Sequence, residues 1–156
     1  MTITIRPANS DDIPLLVDGN QRLAAETEAK HLDGETLAAG LAAMFEDPSR
    51  GQYFIAEVDG QPAGQIMNTY EWSDWRNGQI WWVQSVYVWA EFRNQGVFRA
   101  LYEHLAKIAR EDSSVVGIRL YVENENNRAQ EVYRKLGMKD PGYFVLEDMF
   151  IGVTGD

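Results

Sequence analysis

The stretch that decides the fold of this 156-residue chain is residues 86–99, which read VYVWAEFRNQGVFR. An apolar run from Ile80 to Trp89 predicts a strand, and from Gly96 the apolar residues recur at helical spacing. A strand therefore passes through a short loop with Arg93 and Gly96 into a helix. Because the first N–H groups of a helix lack partners and the helix dipole is positive there, this junction suits an anion such as a pyrophosphate.

By itself the junction is a weak indication, since a strand, a one-glycine loop and a helix occur together in many proteins. Other phosphate-binding loops fit the sequence worse. No lysine is followed by serine or threonine, as a Walker-type loop requires, and the three-glycine dinucleotide fingerprint is missing.

A second stretch, residues 126–138, reads NNRAQEVYRKLGM. Its apolar stripe predicts a short helix that ends at Gly137, because glycine readily adopts the left-handed conformation that follows many helices. Asn126 fits the N-cap of that helix. Tyr133 lies on the apolar stripe, where a plain core tyrosine is one interpretation.

Together the two stretches resemble the GNAT superfamily of N-acetyltransferases. That family carries Arg/Gln-x-x-Gly-x-Gly/Ala after its fourth strand, and Arg93-x-x-Gly96-x-Phe98 matches this pattern except at its last position. The family's later pattern, Asn-x-x-Ala-x-x-x-Tyr-x-x-Leu-Gly-Phe, is matched by residues 126–138 with methionine in the final place. The resemblance implies one α/β domain over residues 1–156, with a mixed, mostly antiparallel central sheet and helices on both faces. It also implies transfer of an acetyl group from acetyl-CoA to an amine.

The resemblance assigns roles to the residues at matching positions. The main chain of Val86 and Val88 would pair with the pantetheine arm, the loop amides would hold the pyrophosphate, and Asn126 would contact the coenzyme. Tyr133 would lie beside the sulfur as the general acid. The cofactor-binding set is Val86, Tyr87, Val88, Arg93, Asn94, Gln95, Gly96, Val97, Phe98, Arg99 and Asn126.

Two positions depart from the family. Phe98 stands where a small residue normally lies near the phosphates, and its ring is expected to turn toward the core. Gln84 stands where family members often have a glutamate base. A glutamine is no base at neutral pH, although its carbonyl can orient an amine or a water, so Gln84 is predicted to be catalytic by positioning or to make a structural hydrogen bond. Strand alternation places Gln84 on one face with Trp82 and Val86.

The remaining patterns complete the order β-α-α-β-β-β-α-β-α-β, typical of an α/β domain. Expected strands cover residues 2–6, 53–58, 63–70, 80–89, 115–122 and 143–151, and expected helices begin near residues 13, 35, 96 and 126.

An acidic, aromatic loop over residues 71–76 separates two of these strands. Tryptophan faces attract cations and carboxylates add negative charge, so the loop favours a cationic acceptor, although strand tryptophans are commonly core residues. The predicted substrate-binding residues are Glu71, Trp72, Asp74 and Trp82. Glu71 and Asp74 are also the alternatives for an acid–base group.

Composition and charge limit the kinds of partner that we expect for this chain. The net charge of −10 disfavours nucleic acid and anionic membranes. Residues 1–91 carry 5 basic against 14 acidic side chains (−9), whereas residues 92–135 carry 8 against 6 (+2), a difference that suits an anion in the second region or reflects chance. With no cysteine and two histidines, no metal site is expected. A cytoplasmic protein is expected, since no signal peptide and no run of ~20 apolar residues is visible.

Two other classes of function stay open. A non-catalytic acyl-CoA sensor would keep the anion-binding junction and lose the chemistry, and Gln84 and Phe98 favour it. A pure interaction domain would leave the register of the two motifs unexplained. The expected partner is a small-molecule or peptide amine, with a homodimer left open.

Overall fold

The computed structural model describes residues 1–152, so the last four residues of the predicted domain lie outside it. The strands are β1 (Ile3–Pro7), β2 (Gln52–Val58), β3 (Gln61–Ser73), β4 (Gly78–Val88) and β5 (Val115–Leu120). The α-helices are α1 (Ile13–Glu28), α2 (Gly34–Glu46), α3 (Val97–Glu111) and α4 (Asn127–Lys135). No helix in residues 1–152 combines the length and the apolar character that a membrane crossing requires.

The strands form one sheet in the order β1-β2-β3-β4-β5. Neighbours from β1 to β4 are antiparallel, whereas β5 runs parallel to β4 after the α3 crossover. The β2–β3 hairpin turns at Asp59 and Gly60, which both have positive φ as a tight two-residue turn requires. This mixed, mostly antiparallel sheet with its helices confirms the predicted fold class.

Helices cover both faces of the sheet. The stripe of α3, with Val97, Leu101 and Leu105 all fully buried, packs on one face. Helices α1 and α2 cover the other face, where Leu16 and Leu41 pack in one cluster. Because each amphipathic helix has a single apolar side, the face on which a strand residue lies decides which helices it meets.

Strand β3 is longer than the sequence predicts. It continues to Ser73, so Glu71 and Trp72 are strand residues, and the expectation of a loop from residue 71 is wrong. The cause is cross-strand pairing, which continues down to the pair Ser73 and Gly78 and leaves a turn over residues 74–77.

The last predicted strand is also wrong. Residues 143–151 form no strand in the described structure, and their large apolar side chains are exposed. Phe144 and Phe150 are each 93% exposed. The residues have the composition of a strand, but no strand within residues 1–152 pairs with them.

Candidate active site

The candidate site begins where two neighbouring strands separate. Strands β4 and β5 pair as far as Val83 and Leu120. There β5 ends, whereas β4 continues to Val88. Within the described residues, no strand pairs with the β5-facing edge of residues 84–88, so an extended ligand arm can pair with the main chain there.

A β-bulge interrupts β4 at the same place. Ser85 and Val86 stand opposite the single β3 residue Ile66, and Ser85 has a φ of +52°. The extra residue reverses the alternation of faces. Gln84 lies opposite Met67 on the α2 side of the sheet, whereas Val86 packs into the core under α3. The expectation that Gln84 and Val86 share a face is therefore wrong.

The loop after β4 has room for an anion. Gly96 is the N-cap of α3 with a φ of +82°, and no atom outside residues 95–97 lies within 4 Å of the place where a Cβ on Gly96 would sit. Main chain is thus exposed to a ligand at this position. No described side chain caps α3, which leaves the N–H groups of its first turn without partners. The residues present fit a pyrophosphate bound at residues 93–99.

The side chain of Arg93 is occupied by protein groups. Its Nη2 lies 2.6 Å from Oε1 of Glu26, its Nε donates to the carbonyl of Val88 at 3.0 Å, and its guanidinium lies 5.4 Å from the ring centroid of Tyr87. The Tyr87 hydroxyl also donates to Glu26. Hydrogen bonds from Tyr87 and then Arg93 hold the pKa of Glu26 below its usual value. Arg93 therefore links the end of α1 to the end of β4, and its main-chain amide donates to the carbonyl of Ala90 at 3.4 Å.

Phe98 turns its ring inward, toward α4. The ring packs edge-to-face on Tyr133 with the centroids 5.5 Å apart, and Tyr102 lies 6.4 Å from Tyr133. Burial, and secondarily the charge that Tyr102 carries when ionised, raise the pKa of Tyr133 to about 12. The phenol thus keeps its proton at neutral pH, and no group of the described chain forms a hydrogen bond with its hydroxyl. The space beside Gly96 stays open because Phe98 points away from it.

The start of α4 lies next to this loop. Oδ1 of Asn126 accepts a hydrogen bond from the amide of Ala129 at 3.1 Å, which is the capping role. Arg128 donates to Oδ1 of Asn94 at 3.3 Å. Asn94 in the loop and Asn126 at the start of α4 are both predicted cofactor-binding residues. The bond between Arg128 and Asn94 holds the two segments together. The loop after β4 is thus bordered by the first turn of α3 and by the first turn of α4.

Comparison with known proteins agrees with this arrangement. The model of the Acetyltransferase (GNAT) family matches residues 20–138. This chain belongs to the GNAT acetyltransferase family. The match includes both motif stretches, so the resemblance drawn from them is confirmed.

Curated relatives carry acetyltransferase names. A thialysine N-epsilon-acetyltransferase of Caenorhabditis elegans is 34% identical over 80 residues, which cover 51% of this chain and 49% of that protein. An N-alpha-acetyltransferase of Sulfurisphaera tokodaii is 32% identical over 94 residues, which cover 56% of each chain. The chain therefore spans about half the length of the curated relatives it matches.

Solved structures match over almost the whole chain. A possible acetyltransferase from Clostridium difficile 630 is 42% identical with a TM-score of 0.89, covering 97% of this chain and all of that one. A predicted acetyltransferase with acetyl-CoA from Clostridium acetobutylicum has a TM-score of 0.77 at 19% identity, covering 94% of this chain and 96% of that one. The second comparison shows a shared fold.

Gln84 lies beside the bulge, at the position where members of the GNAT family often have a glutamate. Its Nε2 donates to Oγ1 of Thr69 at 2.6 Å, so the amide is held in one orientation. The structural hydrogen bond that the sequence left open is present. This bond uses only the amide nitrogen of Gln84. The carbonyl oxygen has no hydrogen bond within the described residues and can accept one from a ligand.

The four predicted substrate-binding residues lie in two separate places. Glu71 accepts from the indole of Trp82 at 2.9 Å and from Arg119 at 3.0 Å, on the face that also carries Gln84. Trp72, 59% exposed, neighbours Glu71 in the strand and so points to the opposite face. Asp74 lies in the exposed turn, where it accepts from the amide of Trp75. The structure brings Glu71 and Trp82 together and leaves Trp72 and Asp74 outside that group.

The hydrogen-bond partners that orient these side chains could not be predicted from the sequence. Glu26, Thr69 and Arg119 are each far along the chain from the residue they bind, and no local motif marks them. Gln65 gave one signal, as a polar residue inside the otherwise apolar residues 63–67 of β3. It is fully buried, its Nε2 donates to the carbonyl of Ser85, and its Oε1 has no partner.

Metal ligands do not converge in the described part of the chain. Among residues 1–152 no three histidine, cysteine, aspartate or glutamate side chains come together as a metal site would require. A reaction without a metal stays a prediction.

Proposed function

We propose that this GNAT-family chain transfers the acetyl group of acetyl-CoA to a primary amine by direct attack in a ternary complex. The observation that carries the proposal is the opening along the free edge of residues 84–88, where β5 has ended. One end of that opening meets the uncapped start of α3 at Gly96, and Tyr133 of α4 packs against Phe98 in the first turn of that helix. An anionic coenzyme with an extended arm fits this opening. The start of α3 suits its phosphates, and the free strand edge suits its extended arm.

Acetyl-CoA is held mainly through main-chain groups in this proposal. The amides of residues 93–99 bind the pyrophosphate at the positive end of α3. Val86 and Val88 pair with the pantetheine arm along the free edge. The cofactor-binding role of Tyr87 is indirect, because its hydroxyl is committed to Glu26 and it supports the position of Arg93. Asn126 orders the start of α4 beside the coenzyme.

The chemistry follows from groups around the bulge. The acceptor amine loses a proton to water or a nearby carboxylate and attacks the thioester carbonyl, so a C–N bond forms and the C–S bond breaks. A main-chain N–H near Val86 stabilises the developing oxyanion. Tyr133 gives its proton to the departing thiolate and regains one from solvent.

Gln84 serves the acceptor by position. Because Thr69 fixes its amide group, its carbonyl oxygen presents a steady acceptor to the incoming amine or to a water. Both carboxylate oxygens of Glu71 already accept hydrogen bonds, one from Trp82 and one from Arg119, so we do not assign it the proton of the amine. Water is therefore the first proton acceptor that we propose.

The acceptor itself is proposed to be cationic. The balance of −9 over residues 1–91, which supply α1, α2 and most of the sheet, favours a positive ligand on the α1/α2 face. Curated relatives are named for N-epsilon and N-alpha acetylation, which are both reactions of amines. A cytoplasmic location stays a prediction.

The test is an assay of thiol release from acetyl-CoA with a panel of cationic, neutral and anionic amines. Calorimetry with coenzyme A runs in parallel. Acetylation of at least one cationic amine, together with coenzyme binding, is expected. Better turnover of anionic amines would contradict the cationic acceptor. Coenzyme binding with no thiol release for any amine would contradict the enzyme and support the acyl-CoA sensor.

A further inference from the structure

Gln65 of β3 is a buried polar residue whose hydrogen bonding is incomplete. Its side chain is fully buried, and it lies under Gly19 of α1. Its Nε2 donates to the main-chain carbonyl of Ser85 at 3.0 Å, whereas its Oε1 has no partner among the described residues. A buried oxygen without a hydrogen bond is destabilising, and an apolar side chain of similar shape would avoid that cost. Stability alone therefore does not account for a glutamine at this position.

The carbonyl that Gln65 binds belongs to the peptide group between Ser85 and Val86. A trans peptide group is planar, so its C=O and its N–H point in opposite directions. A bond that fixes the carbonyl of Ser85 therefore also fixes the direction of the N–H of Val86. Regular strand pairing does not hold this peptide group, because Ser85 stands in the bulge with a φ of +52°.

The N–H of Val86 lies on the free edge of β4. The amide of Trp89 donates to the carbonyl of Ala63 in β3 at 2.9 Å. Main-chain groups of successive strand residues alternate between the two edges, so those of Val88 and Val86 face away from β3. The bond from Nε of Arg93 to the carbonyl of Val88, at 3.0 Å, agrees with this direction. In the described part of the chain no strand pairs with that edge, so a ligand can reach the N–H of Val86.

We infer that Gln65 is a positioning residue that aims the N–H of Val86 at the oxyanion formed during acetyl transfer, an inference that rests on the function proposed above. As the amine nitrogen bonds to the thioester carbon, the carbonyl electrons move onto the oxygen, and they return when the C–S bond breaks. A donor that already points at this oxygen needs no reorganisation during the reaction. Gln65 acts from behind the strand, without contact to the substrate.

The same bond also strengthens the donor. A peptide carbonyl that accepts a hydrogen bond is polarised, and its attached N–H becomes a better donor, because linked hydrogen bonds reinforce one another. Burial of Gln65 increases this effect, since water does not compete for the carbonyl of Ser85 from that side. Gln65 thus fixes both the direction and the polarity of the Ser85–Val86 peptide group.

A second buried group, the hydroxyl of Tyr53, also faces the bulge. Tyr53 is buried, and its hydroxyl accepts a hydrogen bond from Nδ2 of Asn20 at 3.1 Å. Burial is the main cause that raises the pKa of Tyr53, while the neighbouring side chains of Ser85 and Asn20 oppose the shift. Asn20 donates in turn to a carbonyl within α1 at 2.8 Å. Helix α1 therefore supports the bulge through Tyr53, in addition to the bond from Gln65.

The first test replaces Gln65 with methionine, which is of similar length and has no hydrogen-bond donor. Gln65→Met should lower kcat about tenfold or more, which is less than the ~10²–10³-fold cost of removing an oxyanion donor altogether. The value of kcat/KM for acetyl-CoA should fall by the same factor, since only the transition state is affected. Tm should stay within about 4 °C of wild type, because the variant loses the bond to Ser85 but also removes the unpaired Oε1.

Asn68→Leu is the matched control. Asn68 is also fully buried in β3, but its side chain accepts from Gln52 and does not hold the bulge. This variant should lower Tm and leave the kcat of the folded protein unchanged. If Gln65→Met behaved in the same way, with a lower Tm and a wild-type kcat, Gln65 would be a structural residue and the inference would be overturned.

The second test, Gln65→Glu, makes the bond to Ser85 depend on pH. Burial raises the pKa of a carboxyl group, and a protonated carboxyl can donate to a carbonyl as the amide does. Once ionised, the group has only acceptors. The kcat of the variant relative to wild type should therefore fall about tenfold as the pH rises through the pKa of the new carboxyl, whereas a carboxylate base would give the opposite direction. Circular dichroism at each pH measures the folded fraction, and a ratio that is constant with pH in folded protein would overturn the inference.

The amide resonance of Val86 tests the geometry without any reaction. In nitrogen–proton correlation spectra of the coenzyme-free protein, this resonance should move in Gln65→Met, because the preceding carbonyl loses its hydrogen bond. The amide of Val115, at the far end of β5, should not move. An unchanged Val86 resonance would overturn the inference even if the protein acetylates amines. Wild type that releases no thiol with any amine would instead contradict the proposed function itself, so the two failures are distinguishable.

Discussion

The side-chain amide of Gln65 donates a hydrogen bond to the main-chain carbonyl of Ser85 at 3.0 Å, across the bulge of β4. Gln65 is fully buried, and its Oε1 has no partner. The left-handed conformation of Ser85 is unfavourable for a residue with a Cβ, so it persists because its neighbours hold it. Gln65 is one of those neighbours, and Gly19 of α1 lies directly over it.

The first prediction concerns the fit of Gly19 over Gln65. A Cβ added at Gly19 would lie 2.3 Å from Oε1 of Gln65 and 3.1 Å from the Trp89 ring. Because both side chains are buried, neither can move aside freely. Gly19→Ala should lower the free energy of unfolding by ~1–3 kcal/mol through overpacking. Thermal unfolding should show a Tm about 2–12 °C lower, given ~2–4 °C per kcal/mol for a chain of this size.

Gly40→Ala is the matched control for that change. Gly40 also lies inside a helix, but no atom is within 4 Å of the place for its Cβ. Alanine there should stabilise the protein by ~0.5–1 kcal/mol, because glycine loses more conformational freedom on folding. Equal Tm values for the two variants would mean that α1 does not press on Gln65.

The second prediction concerns the binding of coenzyme A at the start of α3. Gly96→Glu should weaken binding at least a hundredfold in calorimetry, since the new carboxylate occupies the open space and repels phosphate. Gly60→Glu is the control, because Gly60 has nearly the same φ, +83° against +82°, and equally open surroundings. Backbone strain is thus matched at ~1–2 kcal/mol. If both variants bind coenzyme A as wild type does, the phosphates are held elsewhere.

The third prediction concerns Gln84. The substitution Gln84→Glu should retain activity and add an ionisation to the pH profile of kcat/KM, with activity falling as the pH drops and the new carboxyl is protonated. Gln79→Glu, on the same strand but at its far end, should leave the profile unchanged. A wild-type profile with full activity for Gln84→Glu would put Gln84 outside the site.

The fourth prediction concerns the hydroxyl of Tyr133. Phenylalanine keeps the ring contacts with Phe98 and Tyr102 and removes the proton donor. General acids contribute ~10²–10⁴-fold, so Tyr133→Phe should lower kcat by about a hundredfold or more. Coenzyme A affinity and Tm should remain close to wild type. A lower Tm with unchanged kcat would make Tyr133 a core residue only.

The fifth prediction uses the raised pKa of Tyr133 in alkaline solution. A folded-state pKa of about 12, against the ordinary 10, means that the unfolded chain releases this proton at lower pH. Stability from Tyr133 is therefore complete below pH ~10 and is lost as the pH rises toward 12. Denaturant unfolding at pH 9 and above should show Tyr133→Phe gaining stability relative to wild type. A constant difference between the two would contradict the raised pKa.

The sequence was sufficient for the features that depend on a few consecutive residues. The Asp59-Gly60 turn, the start of α3 at Gly96 and the helix behind Asn126 were predicted from local conformational preferences. Both motifs lie in such local segments, which is why the family could be inferred from them. The place of Gln84 in β4 followed from the same motifs, but the face of the sheet on which it lies did not, since the bulge at Ser85 changes the alternation.

What the sequence by itself determined, then, is the set of strands and helices up to residue 138 and the family to which they belong. Only the tertiary structure decided that Arg93 binds Glu26, 67 residues away, and that Arg119 binds Glu71, 48 residues away. It also decided that residues 143–151 stay unpaired, although their composition favours a strand. The physical reason is that helix caps and turns are satisfied within a few residues, whereas ion pairs and strand pairing need a partner that only the folded chain, or a second chain, can supply.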